Sequence, residues 1–280
     1  MLGHQLFESW KNKHEVKVTL HQDASAYQKY DLFNDENAFF NVDVRLSDDL
    51  SVIFGSYQPQ VIINATGIIK QRKAASDILP SLEANALFPH RASQLAKMIG
   101  ARLFTFSTDC VFSGRKGNYS ETDQPDPPDI YGKTKVLGEL NEEHCVTLRT
   151  SFIGLELARK TGLIEWFLAQ KGDLKGFTHA IYSGLLTSEI ARVVENIMLN
   201  YPNLHGLWHL SSDPISKYDL LVGLSQRLND GRRVITPDEN FFCDRSLDSS
   251  LLRKEISYQP PSWDTMFDEL AQKILKRGEY

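Results

Sequence analysis

The residues best equipped for chemistry lie between Ser107 and Lys135. Tyr131-Gly132-Lys133-Thr134-Lys135 is a Tyr-x-x-x-Lys pair. On a helix, positions four apart share a face. A Lys135 ammonium beside Tyr131 favours the phenolate, so the spacing predicts a tyrosine pKa lowered from its usual value of about 10. Such a group serves as a proton donor or acceptor near neutral pH. The same spacing also occurs on solvated helix faces, so the surroundings decide. Residues 102–106 (RLFTF) read as a strand that runs directly into Ser107-Thr108-Asp109. Ligands bind at the carboxyl ends of parallel strands. A hydroxyl at Thr108 therefore meets a substrate or, more plainly, caps a turn. Residues 114–129, rich in Gly, Pro, Asp and Ser, read as a long loop between the two motifs, and long loops in compact domains are usually functional.

Other reactive groups are less telling. Lys70, Arg72 and Lys73 form a basic cluster that could meet a diphosphate, although a solvated helix start is the commoner explanation. Cys110, Cys145 and Cys243 contain no CxxC pair, which gives neither a disulfide framework nor a zinc site. Cys110 and Cys145 lie in or beside strand-like runs and read as small buried residues. The eight histidines show no HExxH or HxxEH spacing, and no protein metal site is expected. There is no Gly-x-Ser-x-Gly elbow.

The elements that must position Thr108 and Tyr131 alternate. Residues 60–64 (QVIIN) read as a strand. Residues 81–99 carry Leu82, Leu87, Leu95, Met98 and Ile99 at helical spacing, with Gly100 closing the helix. Residues 131–140 read as a helix and 145–148 as another strand. Continuous apolar strands separated by helices predict an α/β fold with a doubly wound parallel sheet. After about residue 155 the alternation is lost. Helices are expected at 187–199, 217–228 and 263–275, with short strands such as 206–210. We therefore expect a dinucleotide-binding domain at 1–155 and a smaller α+β substrate lobe at 156–280, partly interleaved with it.

The chain has 280 residues, 31 basic and 36 acidic, for a formal net charge of −5. With 41% hydrophobic and 24% charged residues it has an ordinary globular composition, which excludes a disordered or collagen-like chain. No apolar run approaches the ~18 residues that span a bilayer. Met1 to Trp10 lack the pattern of a signal peptide. The acidic balance argues against nucleic-acid or anionic-membrane partners. Sparse cysteines fit a reducing compartment, and a cytoplasmic protein is expected.

Residues 106–139, FSTDCVFSGRKGNYSETDQPDPPDIYGKTKVLGE, resemble the dTDP-4-dehydrorhamnose reductases, which carry STDYVF-G, a polar loop, and VYG-(K/R)-(S/T)-K-x-x-GE. INATG at 63–67, EANALFPHRAS at 83–93, LRTSFIG at 148–154 and GLWHLSS at 206–212 resemble further segments of that family. The resemblance implies a Rossmann-type, extended short-chain dehydrogenase/reductase. It implies that Thr108 holds a carbonyl, Tyr131 donates the proton and Lys135 tunes Tyr131 and binds the nicotinamide ribose. NADPH or NADH would be held by Leu2, Gly3, Asp43, Val44, Asn64, Ala65 and Thr66 together with Tyr131 and Lys135. Ser107, Asp109, Phe152 and Arg245 would face the nucleotide-sugar substrate. The implied reaction is reduction of the C4 ketone of a 4-keto-6-deoxy sugar on dTDP or UDP, by a protein that can be a homodimer. A nucleotide-sugar epimerase or dehydratase shares these motifs, although no Asp/Glu pair stands beside Thr108. A non-catalytic binding or regulatory subunit on the same fold is a third reading.

The chain departs from the family pattern in places. Cys110 replaces an aromatic residue, Ile130 precedes the tyrosine, and Phe152 stands for tryptophan. The family's RP-x-x-S-x-LD segment reads FFCDRSLDSS at 241–250, with Arg245 where serine is usual. The opening Met1 to Leu6 resembles the end of the family's TGAxGMLGxxL turn, with Gly3 as third glycine. The first strand and two glycines are expected upstream of Met1. Strands at 15–20 and 61–63 would then lack ladder partners, so a chain starting at Met1 is expected to fold poorly and bind NAD(P)H weakly. After the strand at 15–20, Asp23 or Lys29 is placed to read the ribose of NAD or the phosphate of NADP.

Overall fold

The structure is a computed structural model. It describes residues 1–45, 47–69, 77–158, 160–229, 231 and 233–278, without the side chains of Ser47 and Asp48. The basic cluster of Lys70, Arg72 and Lys73 lies outside the described residues.

Four strands form the main parallel sheet in the order β10-β5-β4-β3. These are β3 (Val61–Asn64), β4 (Arg102–Ser107), β5 (Cys145–Arg149) and β10 (Gly206–His209). Every residue of β5, and all of β4 beyond Arg102, is buried. Phe104 and Leu148 are 0% exposed. Their continuous apolar runs are what two-sided burial demands. The link from β3 to β4 is helical. It consists of α3 (Ile78–Leu82), a single π-helical segment at Glu83–Leu87, and α4 (Phe88–Met98). Gly100, at φ +70°, ends it. α5 (Ile130–Leu137) follows the long loop and returns the chain to β5. It ends three residues short of the expected 131–140. At Gly138 a Cβ would come within 1.9 Å of the Asn85 carbonyl oxygen, so the chain turns there on a glycine.

α1 (Leu2–Trp10) packs on the main core through Leu2, Leu6 and Trp10. β1 (Val18–Thr19) pairs in parallel with β2 (Ala38–Phe39). The strand expected over 15–20 thus shrinks to two residues, half-buried and exposed. Neither β1 nor β3 has a second strand partner among the described residues. Val61, Ile62 and Ile63 are correspondingly only half-buried. α2 (Ser47–Tyr57) was not anticipated from periodicity.

The remaining chain supplies β6 (Phe152–Ile153), α6 (Leu163–Ala169), β7 (Leu174–Phe177), β8 (Ala180–Tyr182) and β9 (Leu185–Leu186), then α7 (Thr187–Asn200). After β10 come β11 (Ile215–Ser216), α8 (Lys217–Arg227), β12 (Ile235–Asp238), β13 (Cys243–Asp244), α9 (Ser250–Glu255) and α10 (Trp263–Arg277). The helices expected at 187–199, 217–228 and 263–275 are α7, α8 and α10. α6 was not expected. The largest core cluster draws on Leu2, Phe104 and Leu148 as well as Ile190, Leu220 and Ile274, so both halves of the chain share it. No helix among the described residues is long and apolar enough to cross a membrane.

Candidate active site

The carboxyl ends of β3 and β4 and the start of α5 open onto one cavity of about 480 Å³. That volume suits a small-molecule ligand. Thr108, Tyr131 and Lys135 all line it. Thr108 caps a single 3-10 turn at Asp109–Val111: its hydroxyl accepts from the Cys110 N–H at 3.2 Å and donates to Asp109 at 3.0 Å. The turn-capping reading of Thr108 is therefore true as well, and the two roles coexist. The Tyr131 phenol faces the same cavity, and the Thr108 hydroxyl favours its ionised form. α5 begins close to the turn because residue 132 is glycine. A Cβ there would meet the Cys110 carbonyl at 2.3 Å. Asp129 caps the helix by accepting from the Gly132 N–H at 2.9 Å.

Lys135 is buried, and its Nζ donates to the Phe106 carbonyl at 2.5 Å. Burial lowers its pKa to about 8, against which nearby Glu139 favours the ammonium. The expected lowering of the Tyr131 pKa does not occur. Burial raises it, nearby Cys110, Asp109 and Asp129 add to the rise, and the nearby Thr108 hydroxyl works against it. Desolvation outweighs the Tyr-x-x-x-Lys spacing because the Lys135 ammonium is held on a backbone carbonyl. Tyr131 in this structure is a protonated phenol, ready to donate.

Beneath the site, Ser107 donates to Glu139 at 2.6 Å. Arg149 clasps the same carboxylate through Nε and Nη2, each at 2.7 Å. A bidentate, buried pair of this kind fixes geometry. It ties the end of β4 to β5 and to the segment just after α5. Asn85, 1% exposed, is a second organiser. Its amide nitrogen donates to the Ile68 carbonyl (3.0 Å) and to Thr134 (3.2 Å), and its amide oxygen accepts from the Ile68 N–H (2.9 Å). It thereby joins the β3 loop to α5 from the π-helical segment, where such bulges often mark function. Glu139, Arg149, Asn85 and cavity-lining Lys217 were not singled out from the sequence. Asn85, Glu139 and Arg149 do fall inside the quoted motif blocks.

Of the other expected positions, Leu2, Asn64, Ala65, Thr66, Ser107, Asp109, Phe152 and Arg245 line the cavity. Gly3 sits behind it, where a Cβ would touch Ala65 Cβ at 3.6 Å. Asp109 is buried, which raises its pKa. Asp43 and Val44 do not line the cavity. Asp43 pairs with Arg45, and that hydrogen bond holds its pKa down to about 2. Val44 packs on a second core cluster. Asp23 caps a short 3-10 turn and the Lys29 ammonium lies over the Tyr30 ring, both away from the cavity. Burial pushes the Cys110 thiol up to about 12, so it is no ready nucleophile.

A parallel sheet flanked by helices, with its cavity at the strand carboxyl ends, defines a Rossmann-type α/β protein. Residues 1–274 match the family model described as the RmlD substrate binding domain, and the chain belongs to that family. It is 27% identical over 197 residues to the dTDP-4-dehydrorhamnose reductase of Aggregatibacter actinomycetemcomitans, covering 66% of this chain and 67% of that protein. It is 26% identical over 196 residues to Methionine adenosyltransferase 2 subunit beta of Danio rerio, covering 65% of this chain and 60% of that protein. The chain thus spans about two thirds or less of the length of these relatives. The dTDP-4-dehydrorhamnose reductase of Bacillus anthracis, solved in complex with NADP, shares the fold: TM-score 0.73, 20% identity, 92% of this chain and 99% of that one.

Proposed function

We propose that this chain is an NAD(P)H-dependent reductase of the C4 ketone of a nucleotide-linked 4-keto-6-deoxy sugar. The observation that carries the reading is that Thr108, Tyr131 and Lys135 line one cavity at the carboxyl end of β4. The cavity residues fit a dinucleotide. α1 opens at Leu2 on the cavity, and a helix N-terminus favours a pyrophosphate. Asn64, Ala65 and Thr66 follow β3 directly, and the buried Lys135 ammonium is suited to a ribose. Gly3 would let α1 lie close beneath the dinucleotide. Asp43 and Val44, just after β2, would stand at its adenine end.

Bound NAD(P)H would supply the hydride. The protein's part is to hold and protonate. Thr108 orients the carbonyl oxygen by hydrogen bonding. Tyr131 passes its phenolic proton to that oxygen as charge develops, and Lys135 would hold the nicotinamide ribose beside it. Ser107, fixed by Glu139, keeps the strand end in register behind Thr108. Asp109 and Phe152 contribute to the sugar side of the cavity. Replacing Tyr131 with Phe is expected to lower kcat by roughly 10²–10⁴-fold with nearly unchanged NADPH affinity. Unchanged turnover would remove the mechanism. A binding or regulatory role is the second reading, favoured by the similarity to Methionine adenosyltransferase 2 subunit beta. A chain that binds NADPH yet turns over no 4-keto nucleotide sugar would point there.

A further inference from the structure

Two residues that depart from the motif described above, Cys110 and Arg245, meet in the cavity. Arg245 Nη1 donates to Cys110 Sγ at 3.6 Å, and its Nε donates to the Phe112 carbonyl at 2.9 Å. The arginine reaches this position because β13 and its continuation lie against Gly114. The Asp244 N–H donates to the Gly114 carbonyl at 2.8 Å. Gly114 has φ +86°, and a Cβ there would meet Cys243 Sγ at 2.6 Å and Arg245 Cγ at 3.1 Å. The guanidinium is therefore anchored on one edge by a carbonyl and a thiol. A thiol is a weak acceptor. Lys217, first residue of α8, lines the same cavity.

Neither cation has a carboxylate within ion-pair distance among the described residues. Of the two acids lining the cavity, Asp109 feels both cations without an ion-pair contact, while burial raises its pKa and so weakens its charge, and Glu156 is turned to backbone N–H groups. Asp109 accepts from Thr108, and Glu156 accepts from the N–H groups of Thr161 (2.8 Å) and Gly162 (3.2 Å). Two half-buried cations thus face a cavity whose own carboxylates make no ion pair with them among the described residues. The arginine lies next to the reacting end of that cavity. It touches Cys110, whose N–H is bonded to the Thr108 hydroxyl, and Tyr131 lines the same cavity.

We propose that Arg245, assisted by Lys217, is a specificity-determining residue that receives an anionic group on the sugar itself, beside the ketone. The preferred substrate class is then an acidic nucleotide sugar, carrying a carboxylate on the ring or on a ring substituent, with the neutral 4-keto-6-deoxy sugar still accepted more weakly. This rests on the reductase reading above for its nucleotide-sugar substrate, and adds to it the charge of the sugar. A planar guanidinium with an open edge suits a carboxylate, and charge-assisted bonds in a partly dehydrated site are strong.

The test is binding by the full chain, by calorimetry with NADPH present, of two ligand pairs that differ in one acidic group. UDP-glucuronate is compared with UDP-glucose, and UDP-N-acetylmuramate with UDP-N-acetylglucosamine; UDP alone is the control. At least one acidic member should bind about tenfold tighter than its neutral counterpart. Arg245→Gln should erase that preference, Arg245→Lys should keep part of it, and UDP should bind all three proteins alike. An unchanged melting temperature shows that the variants are folded. Equal affinity within both pairs overturns the proposal. So does a loss of UDP binding in Arg245→Gln, which would place the guanidinium on the diphosphate instead. If neither UDP, nor any UDP-sugar, nor dTDP run alongside binds the wild-type chain, the underlying reductase reading fails together with it; dTDP binding without any UDP-sugar binding overturns the acidic-sugar proposal alone.

Discussion

β4 and β1 are both parallel strands, yet they differ in everything that follows from their neighbours. β4 has a partner on each side, β3 and β5, and five of its six residues are buried. Its carboxyl end delivers Ser107, Thr108 and Asp109 to the cavity. β1 has one partner, two residues and no buried side chain. The region after β2 holds Asp43 and Val44 away from the cavity wall. Ladder partners on both sides do more than stabilise a strand. They fix where its end lies, and a site that depends on tenths of an ångström is built on such an end.

The largest expected break in this contrast is in stability. Phe104→Ala, which empties a fully buried site in β4, should cost about 3–5 kcal/mol. Val18→Ala in β1 should cost under about 1 kcal/mol. Urea unfolding of both variants measures the pair, and equal losses would erase the distinction.

The next effect concerns pH. The unfolded chain keeps a proton on Lys135 up to its ordinary pKa of 10.5, the folded chain only up to about 8. Between those values the unfolded state binds more protons, so stability rises with pH through that window. The depressed pKa corresponds to a cost of about 3 kcal/mol that is fully present below pH 8. Lys135→Met should flatten this rise in denaturation curves taken from pH 7 to 10. A wild-type rise that persists in the variant would assign it to other groups. The smallest effect is expected at the weakly held region. Asp43→Ala should raise the Kd for NAD(P)H only a few-fold and change stability by less than about 0.5 kcal/mol, since its pair with Arg45 is on the surface.

Much of this was legible in the sequence, for physical reasons that differ by element. Residues 102–106 and 145–148 are apolar throughout, and only two-sided burial tolerates that. Tyr131 and Lys135 were placed together by helical spacing alone. What spacing could not reveal is how deeply the pair would be buried, so the direction of the Tyr131 shift came out reversed. Ser107, Glu139 and Arg149 are far apart in sequence, and nothing local shows that one carboxylate would collect the other two. Arg245 was marked only as a departure from a pattern. Its place beside Cys110 depends on β13 lying against Gly114, a tertiary contact with no local signal. α2 and α6 went unseen because short helices with mixed faces carry little periodicity.

The central claim is that the cavity at the end of β4 reduces a ketone. Its most direct test follows absorbance at 340 nm while the chain is mixed with NADPH and enzymatically generated dTDP-4-keto-6-deoxyglucose or its UDP counterpart. The nucleotide sugar product is quantified in the same samples. The account predicts one NADPH consumed per reduced sugar formed, with that turnover lost in Tyr131→Phe. NADPH that binds but is not consumed, or equal consumption by wild type and Tyr131→Phe, would contradict it.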